Sequence, residues 1–138
     1  MKKITSLILA VTLLAAMCIP VHATEAPIQP YYINTNHAQV VLGISDTGLA
    51  DIGVTCLANS NTTKLQITTY LEKLVGSTWV RVSIGQTNNQ WTASTTSTHL
   101  IKAYSKQLSS TGTYRAVAVF TVSGAQSETF TLYSEDTY

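Results

Sequence analysis

Hydrophobic and polar residues alternate along much of this chain, which is the pattern of β-strands with one buried face. The clearest stretch is 64–74, where Leu65, Ile67, Thr69 and Leu71 fall on one face and mostly polar residues fall on the other. Strands of this kind bury the apolar face against a second sheet and leave the polar face in water. The stretch therefore predicts a strand whose inner face belongs to a sandwich core.

Similar stretches recur along the chain with turn-forming residues between them. The strands that they predict cover 37–44, 50–57, 78–84, 99–108, 114–123 and 128–134. Residues 85–98 are polar and are interrupted by Trp91, so they predict a short edge strand with a loop on each side. Outside the N-terminal segment there is no helical stripe, and the pattern predicts an all-β fold, a two-sheet antiparallel sandwich of about seven strands.

The stretch 114–123 gives the strongest signal for the fold. Its inward face is apolar throughout and carries Tyr114, Ala116, Ala118, Phe120 and Val122. Val117 and Val119 make the other face apolar in mid-strand as well, which is typical of a central strand. The turn cluster 109–112 comes just before Tyr114, so the tyrosine hydroxyl can return a hydrogen bond to the backbone of that turn.

The segment Gly112-Thr113-Tyr114-Arg115-Ala116 resembles the tyrosine corner of immunoglobulin-like domains. In antibody domains the position of Ala116 holds the second disulfide cysteine, and the first would correspond to Cys56 in the predicted strand 50–57. The resemblance implies an immunoglobulin-like sandwich without the disulfide, since Ala116 cannot form it. The chain also resembles short secreted proteins of Gram-positive, Clostridia-type bacteria, which implies a fold and an extracellular address but no activity.

The N-terminus has the features of a signal peptide. Lys2 and Lys3 precede a mostly apolar run over 4–17, and Val21-His22-Ala23 places acceptable residues before a cleavage site. We therefore predict a helical signal peptide over 1–23 that is cleaved after Ala23, an extended leader over 24–36 and the sandwich over 37–138. The predicted product is secreted and has no membrane segment after cleavage.

Cleavage of the signal peptide would change the charge and the cysteine count. Of the eight Lys and Arg residues six would remain, against seven Asp and Glu, which gives a net charge of −1. That charge argues against nucleic acid, because nucleic-acid binding needs a basic face to replace counterions. Cys56 would be the one cysteine left, so packing rather than a disulfide must hold the fold together.

The residue types that commonly carry catalysis are scattered in this sequence. Cys56 lies among apolar strand residues, where burial keeps a thiol protonated and inert. His37 and His99 lack the short spacing of a metal site, and no Gly-Xaa-Ser-Xaa-Gly segment is present. The sequence therefore predicts no catalytic residue, no cofactor and no metal.

Aromatic and apolar residues on outward faces suggest a binding surface instead. Tyr70, Trp79 and Trp91 could form a platform on which sugar rings stack, or each tryptophan could cap an end of the core. Val117 and Val119 could form an exposed apolar patch, or the leader could lie across them. The sequence leaves both pairs of alternatives open.

The predicted function is that of a secreted, non-catalytic domain that binds another macromolecule outside the cell. The partner would be an extracellular protein or a glycan. A carbohydrate-binding module that uses Tyr70, Trp79 and Trp91 is the first alternative. A small secreted hydrolase is the second, and the scattered carboxylates disfavour it.

Overall fold

The computed structural model describes residues 32–138, so the predicted signal peptide and residues 24–31 of the predicted leader lie outside the described residues. This part of the chain forms eight strands. Their bounds are β1 Thr35–Ile44, β2 Leu49–Ala58, β3 Lys64–Val75, β4 Thr78–Arg81, β5 Trp91–Thr95, β6 His99–Gln107, β7 Thr113–Ser123 and β8 Glu128–Thr137. Within it no helix has the length and hydrophobicity needed to cross a bilayer.

Two antiparallel sheets make up the sandwich. One has three strands in the order β1-β2-β6, and the other has five, in the order β4-β3-β7-β8 with β5 also paired to β3. β4 pairs with Glu72–Val75 and β5 with Leu65–Thr69, so the two short strands share one edge of β3. The predicted immunoglobulin-like, all-β sandwich is confirmed, with eight strands where about seven were predicted.

Inward-facing side chains of both sheets form a continuous core. Phe120 of β7 is fully buried and stacks on Phe130 of β8 with ring centroids 5.1 Å apart. The predicted inward set of β2 is confirmed, because all four side chains lie in this core: Ala50, Ile52, Val54 and Cys56. The predicted inward set of β3 is confirmed in the same way: Leu65, Ile67, Thr69 and Leu71 are all buried. The binary pattern of the sequence therefore determines which face of each central strand is internal.

The tyrosine corner is present at the start of β7. Tyr114 is only 2% exposed, and its hydroxyl donates a hydrogen bond of 2.6 Å to the backbone carbonyl of Ser110. Gly112 in between has a φ of 143°, which favours glycine. The turn from β6 is thus fixed to the strand that carries the centre of the core.

Removal of the Tyr114 hydroxyl tests this contact. We expect Tyr114→Phe to lower the free energy of unfolding by about 1–2 kcal/mol, because a partly buried hydrogen bond to the carbonyl of Ser110 is lost. Urea denaturation measures the change, with Tyr133→Phe as the control, since Tyr133 is exposed. Equal midpoints for the two variants would contradict a stabilising corner.

Three predicted boundaries differ from the structure by two residues or more, and one of them is the end of β8, which lies at Thr137 rather than at 134. β1 begins at Thr35, before the predicted 37, and Asn34 and Thr35 are already buried. The predicted strand 78–84 ends at Arg81. After Arg81 the amide of Val82 makes one more backbone hydrogen bond, to the carbonyl of Leu71, and the chain then leaves the edge of β3. β5 pairs with the rest of that edge. The edge of β3 is therefore shared between two short strands, and the second of them, β5, is the short edge strand predicted within 85–98.

Side chains of β8 close the gap between the two sheets at the β1 edge. Glu128 accepts hydrogen bonds from the backbone amides of Ile33 and Asn34, at 2.8 and 3.2 Å, and from the hydroxyl of Thr35. Farther along, Asp136 accepts a bond of 2.7 Å from the amide of Ile44. These acceptors satisfy amides that an edge strand would otherwise offer to another chain.

Candidate functional site

The outward side of the five-stranded sheet concentrates large aromatic and arginine side chains. We call this surface the aromatic face, and it consists of Tyr70, Trp79, Arg81, Arg115, Val117 and Tyr133 together with Glu72 and Glu135. Register pairs Tyr70 with Val117 and Val117 with Tyr133, so these three side chains form one row across β3, β7 and β8. The next row reads Arg81, Glu72, Arg115, Glu135, in which positive and negative charges alternate.

The two arginines of the aromatic face lie against its rings. The guanidinium carbon of Arg81 is 3.5 Å from the ring centroid of Tyr70. That of Arg115 is 4.3 Å from the ring of Trp79 and 5.6 Å from that of Tyr133. Cations at these distances are attracted to the ring faces, so each contact restrains two long side chains at once.

An ion pair restrains Arg115 further. Its Nε donates a hydrogen bond of 2.7 Å to Oε2 of Glu72, which is its direct partner on β3. The contact is partly buried and charge-assisted, which makes it stronger than a bond between neutral groups. Arg115 therefore has its position set by a carboxylate and by Trp79, and the centre of the aromatic face is ordered before any partner arrives.

An exposed patch, one of the two alternatives for Val117 and Val119, is not present. Val117 is only 4% exposed, and Val119 is half-buried. The physical reason lies in the register, because Val117 has a tyrosine on each side in Tyr70 and Tyr133. The other alternative was that the leader covers these valines. Its described part, residues 32–36, is hydrogen-bonded to Glu128, and the rest of it lies outside the described residues.

Trp91 does not join Tyr70 and Trp79. It lies at the start of β5, packs against the core and stacks on Tyr104 of β6, with centroids 4.9 Å apart and an angle of 9° between the rings. Register explains this position, since Trp91 pairs with the inward-facing Thr69 and so points to the interior. Of the two alternatives, the three-residue platform does not form, because its members lie on two sides of the sheet, and Trp91 caps the core.

The buried titratable groups show no sign of activation. Burial raises the pKa of the Cys56 thiol to about 11, and the negative charge of Glu128 contributes to the same rise. Burial likewise raises the pKa of the Tyr104 hydroxyl, which has no hydrogen-bond partner in the described residues. Both groups are protonated at neutral pH, so Cys56 lacks the thiolate that a nucleophile needs.

His37 and His99 lie on the outward side of the three-stranded sheet. They are the two cross-strand partners of Leu57, on β1 and β6, so a whole strand separates them. Within residues 32–138 no three or more His, Cys, Asp or Glu side chains are grouped as metal ligands.

Five residues of the aromatic face were not predicted from the sequence: Glu72, Arg81, Arg115, Tyr133 and Glu135. Alternation along β8 contained a signal for Tyr133, because Phe130 and Leu132 take the inner face and leave Tyr133 outside. The arginines gave no comparable signal. Their role depends on which residues of neighbouring strands they meet, and that is set by register.

Comparison with known proteins gives a structural likeness but no sequence relative. No family model matches the sequence, and no curated protein is significantly similar to it. A similar solved structure is the crystal structure of the CARDB domain of the PF1109 protein from Pyrococcus furiosus, in complex with di-metal ions. The two chains share 15% identity with a TM-score of 0.38, over 76% of this chain and 97% of that one. The fold described above depends on the strand order and register of this chain itself.

Proposed function

We propose that this protein is a secreted, non-catalytic domain that binds another protein outside the cell through the aromatic face. The observation that carries the proposal is the concentration of Trp79, Tyr70, Tyr133, Arg81 and Arg115 on one ordered sheet face. Secretion rests on the charged, apolar and cleavage-site pattern of residues 1–23.

The residue types of the aromatic face and the fixed positions of its side chains both favour a protein partner. Tryptophan, tyrosine and arginine are the types that dominate binding energy in protein interfaces. Tyr133 is 62% exposed on β8, the edge strand of the sheet, so a partner can cover a large ring there. The cation–π contacts and the Arg115–Glu72 pair fix the side chains in advance, which lowers the entropy lost on binding.

Charge on the aromatic face is balanced within the face itself. Arg81 and Arg115 alternate with Glu72 and Glu135 along one row of the sheet. A strongly acidic or strongly basic partner would therefore meet as much repulsion as attraction. The face is better suited to a protein surface that carries charges of both signs and has apolar residues opposite Tyr133.

A carbohydrate-binding module is the weaker candidate. Stacking on a sugar needs a free ring face, and Arg81 and Arg115 lie over one face of Tyr70 and of Trp79 respectively. Trp91 stacks on Tyr104 on the other side of the sheet. Each of the three rings considered for sugar stacking thus has one face already covered.

Capture of partners from the extracellular medium tests the proposal. The immobilised wild-type protein is expected to retain a defined partner that Tyr133→Ala loses, because truncation removes the most exposed ring of the aromatic face. Ile33→Ala is the matched control, since Ile33 is 53% exposed and lies off this face. Equal capture by Tyr133→Ala and wild type would exclude the aromatic face as the binding site.

Fluorescence distinguishes the glycan alternative. Trp91→Phe leaves Trp79 as the one tryptophan of the described residues, so its emission reports on the aromatic face alone. We expect no spectral shift on titration with soluble polysaccharides and a shift on addition of the captured protein. A saturable shift with a polysaccharide that is lost in Tyr70→Ala would favour carbohydrate binding over the proposed function.

A further inference from the structure

On the outward side of the three-stranded sheet, one half, which we call the bulky half, carries large side chains, and the other half contains a groove lined by small residues. We call this surface the glycine face, and it comprises the outward residues of β1, β2 and β6. At one end His37, Leu57 and His99 form a row, and Ile101 follows in the next row with 64% of its surface exposed. Val41 is exposed as well, nearer the middle of the face.

Toward the other end, before the last row of Leu49 and Gln107, the glycine face carries a shallow groove of about 410 Å³. Its floor is formed by Gly43, Gly53 and Ala103, which bear little or no side chain. A Cβ atom added at Gly43 or Gly53 would meet nothing within 4 Å. Neither glycine has a positive φ, so backbone conformation does not account for their presence.

Polar groups are distributed unequally between the two halves. In the groove, Ser105 donates a hydrogen bond of 2.6 Å to Oδ1 of Asp51. The bulky half bears His37 and His99, and Ser97 contacts Nδ1 of His99 at 3.1 Å, which leaves Nε2 of that ring for another partner. The outward positions of these three strands include no lysine or arginine, so Asp51 is their one formal charge at neutral pH.

From this arrangement we infer that the glycine face binds a second copy of the same chain. A two-fold axis that lies in the interface and runs across the strands places the bulky half of each copy over the groove of the other. Ile101 then enters the space above Gly53 and Ala103, and Asp51 lies between the two histidines that flank Leu57 in the other copy. Such an interface must be complementary to itself, and this face carries both the ridge and the groove.

The size of the glycine face sets the expected affinity. Three strands about 4.8 Å apart, with nine or ten residues each at about 3.4 Å per residue, give a face of roughly 14 Å by 30 Å. That area is about 420 Å², roughly half of the 800 Å² that a standard interface buries on each partner, so we expect a weak dimer with a dissociation constant in the micromolar range or above. The two aromatic faces would point outward on opposite sides, which gives a bivalent binder.

Sedimentation velocity on the purified protein, from about 5 µM to about 500 µM, tests the inference. We expect wild type to shift from monomer to dimer across this range. Gly53→Arg should remain monomeric, since the arginine fills the groove and buries a charge. Thr131→Arg is the matched control with the same added charge, because Thr131 is exposed on the opposite sheet, and it should dimerise as wild type does.

Two further variants keep the outcome decisive. Ile101→Ser removes an exposed side chain without touching the core and should weaken the dimer about tenfold or more, even if Gly53→Arg fails to fold. Tyr133→Ala should leave the dimer intact, so failure of the dimer and failure of the proposed function are separate results. A wild-type monomer at every concentration, or unchanged dimerisation in Ile101→Ser, would overturn the inference.

Discussion

Val117→Lys is expected to lower the free energy of unfolding by about 3 kcal/mol. The side chain of Val117 is 4% exposed with Tyr70 and Tyr133 on either side, so a lysine there must bury its ammonium or push a tyrosine aside. Glu72 in the next row cannot neutralise the buried ammonium, because it is already paired with Arg115. Urea denaturation followed by tryptophan fluorescence measures the loss.

Thr131→Lys is the control for this prediction. Thr131 is the partner of Val119 on the same sheet face and is exposed, so its lysine remains in water. We expect a change within about 0.5 kcal/mol for this variant. Equal stability of the two lysine variants would mean that Val117 is accessible and that the aromatic face is not the ordered layer described above.

Loss of the Glu128 carboxylate is expected to have the second large effect. Glu128 accepts bonds from the amides of Ile33 and Asn34 and from the hydroxyl of Thr35. Glu128→Ala leaves these three donors without an acceptor, of which those of Asn34 and Thr35 lie on buried residues. We expect a loss of about 2–4 kcal/mol, together with faster hydrogen exchange at the start of β1.

The control for Glu128 is a carboxylate on the same strand. Glu135 faces outward and is exposed, so Glu135→Ala should change stability by less than about 0.5 kcal/mol. Glu128→Gln retains one acceptor oxygen and should be intermediate. If Glu128→Ala were as stable as Glu135→Ala, the closure of the β1 edge by β8 would contribute little to the fold.

The fold was largely predictable because its main determinants are local in sequence. The period-two pattern of β3 and β7 identifies their inner faces without knowledge of any partner strand, and burial agrees with it at each position from Leu65 to Leu71. The tyrosine corner is also local, since Tyr114 and Ser110 are four residues apart. A turn cluster followed by an inward tyrosine is enough to predict that contact.

The candidate site was less predictable because it is built from contacts between distant strands. Arg115 and Glu72 are 43 residues apart, and only the register of β3 against β7 makes them partners. A shift of one residue would exchange the two faces of a strand. Trp91 and Trp79 could not be told apart by type, because the side of the sheet that each occupies depends on whether it pairs with an inward residue of β3, as Trp91 does with Thr69, or with an outward one.

The sequence by itself determined that this chain forms an all-β, immunoglobulin-like sandwich with Tyr114 and Cys56 inside. Alternation and turn chemistry act over a few residues, so they can be recognised in the chain without its partners. Only the tertiary structure decided that Val117 lies beneath two tyrosines, that Trp91 caps the core and that arginines order the outer face. Those outcomes depend on cross-strand register, which is a property of pairs of strands and is fixed by the packing of the whole core.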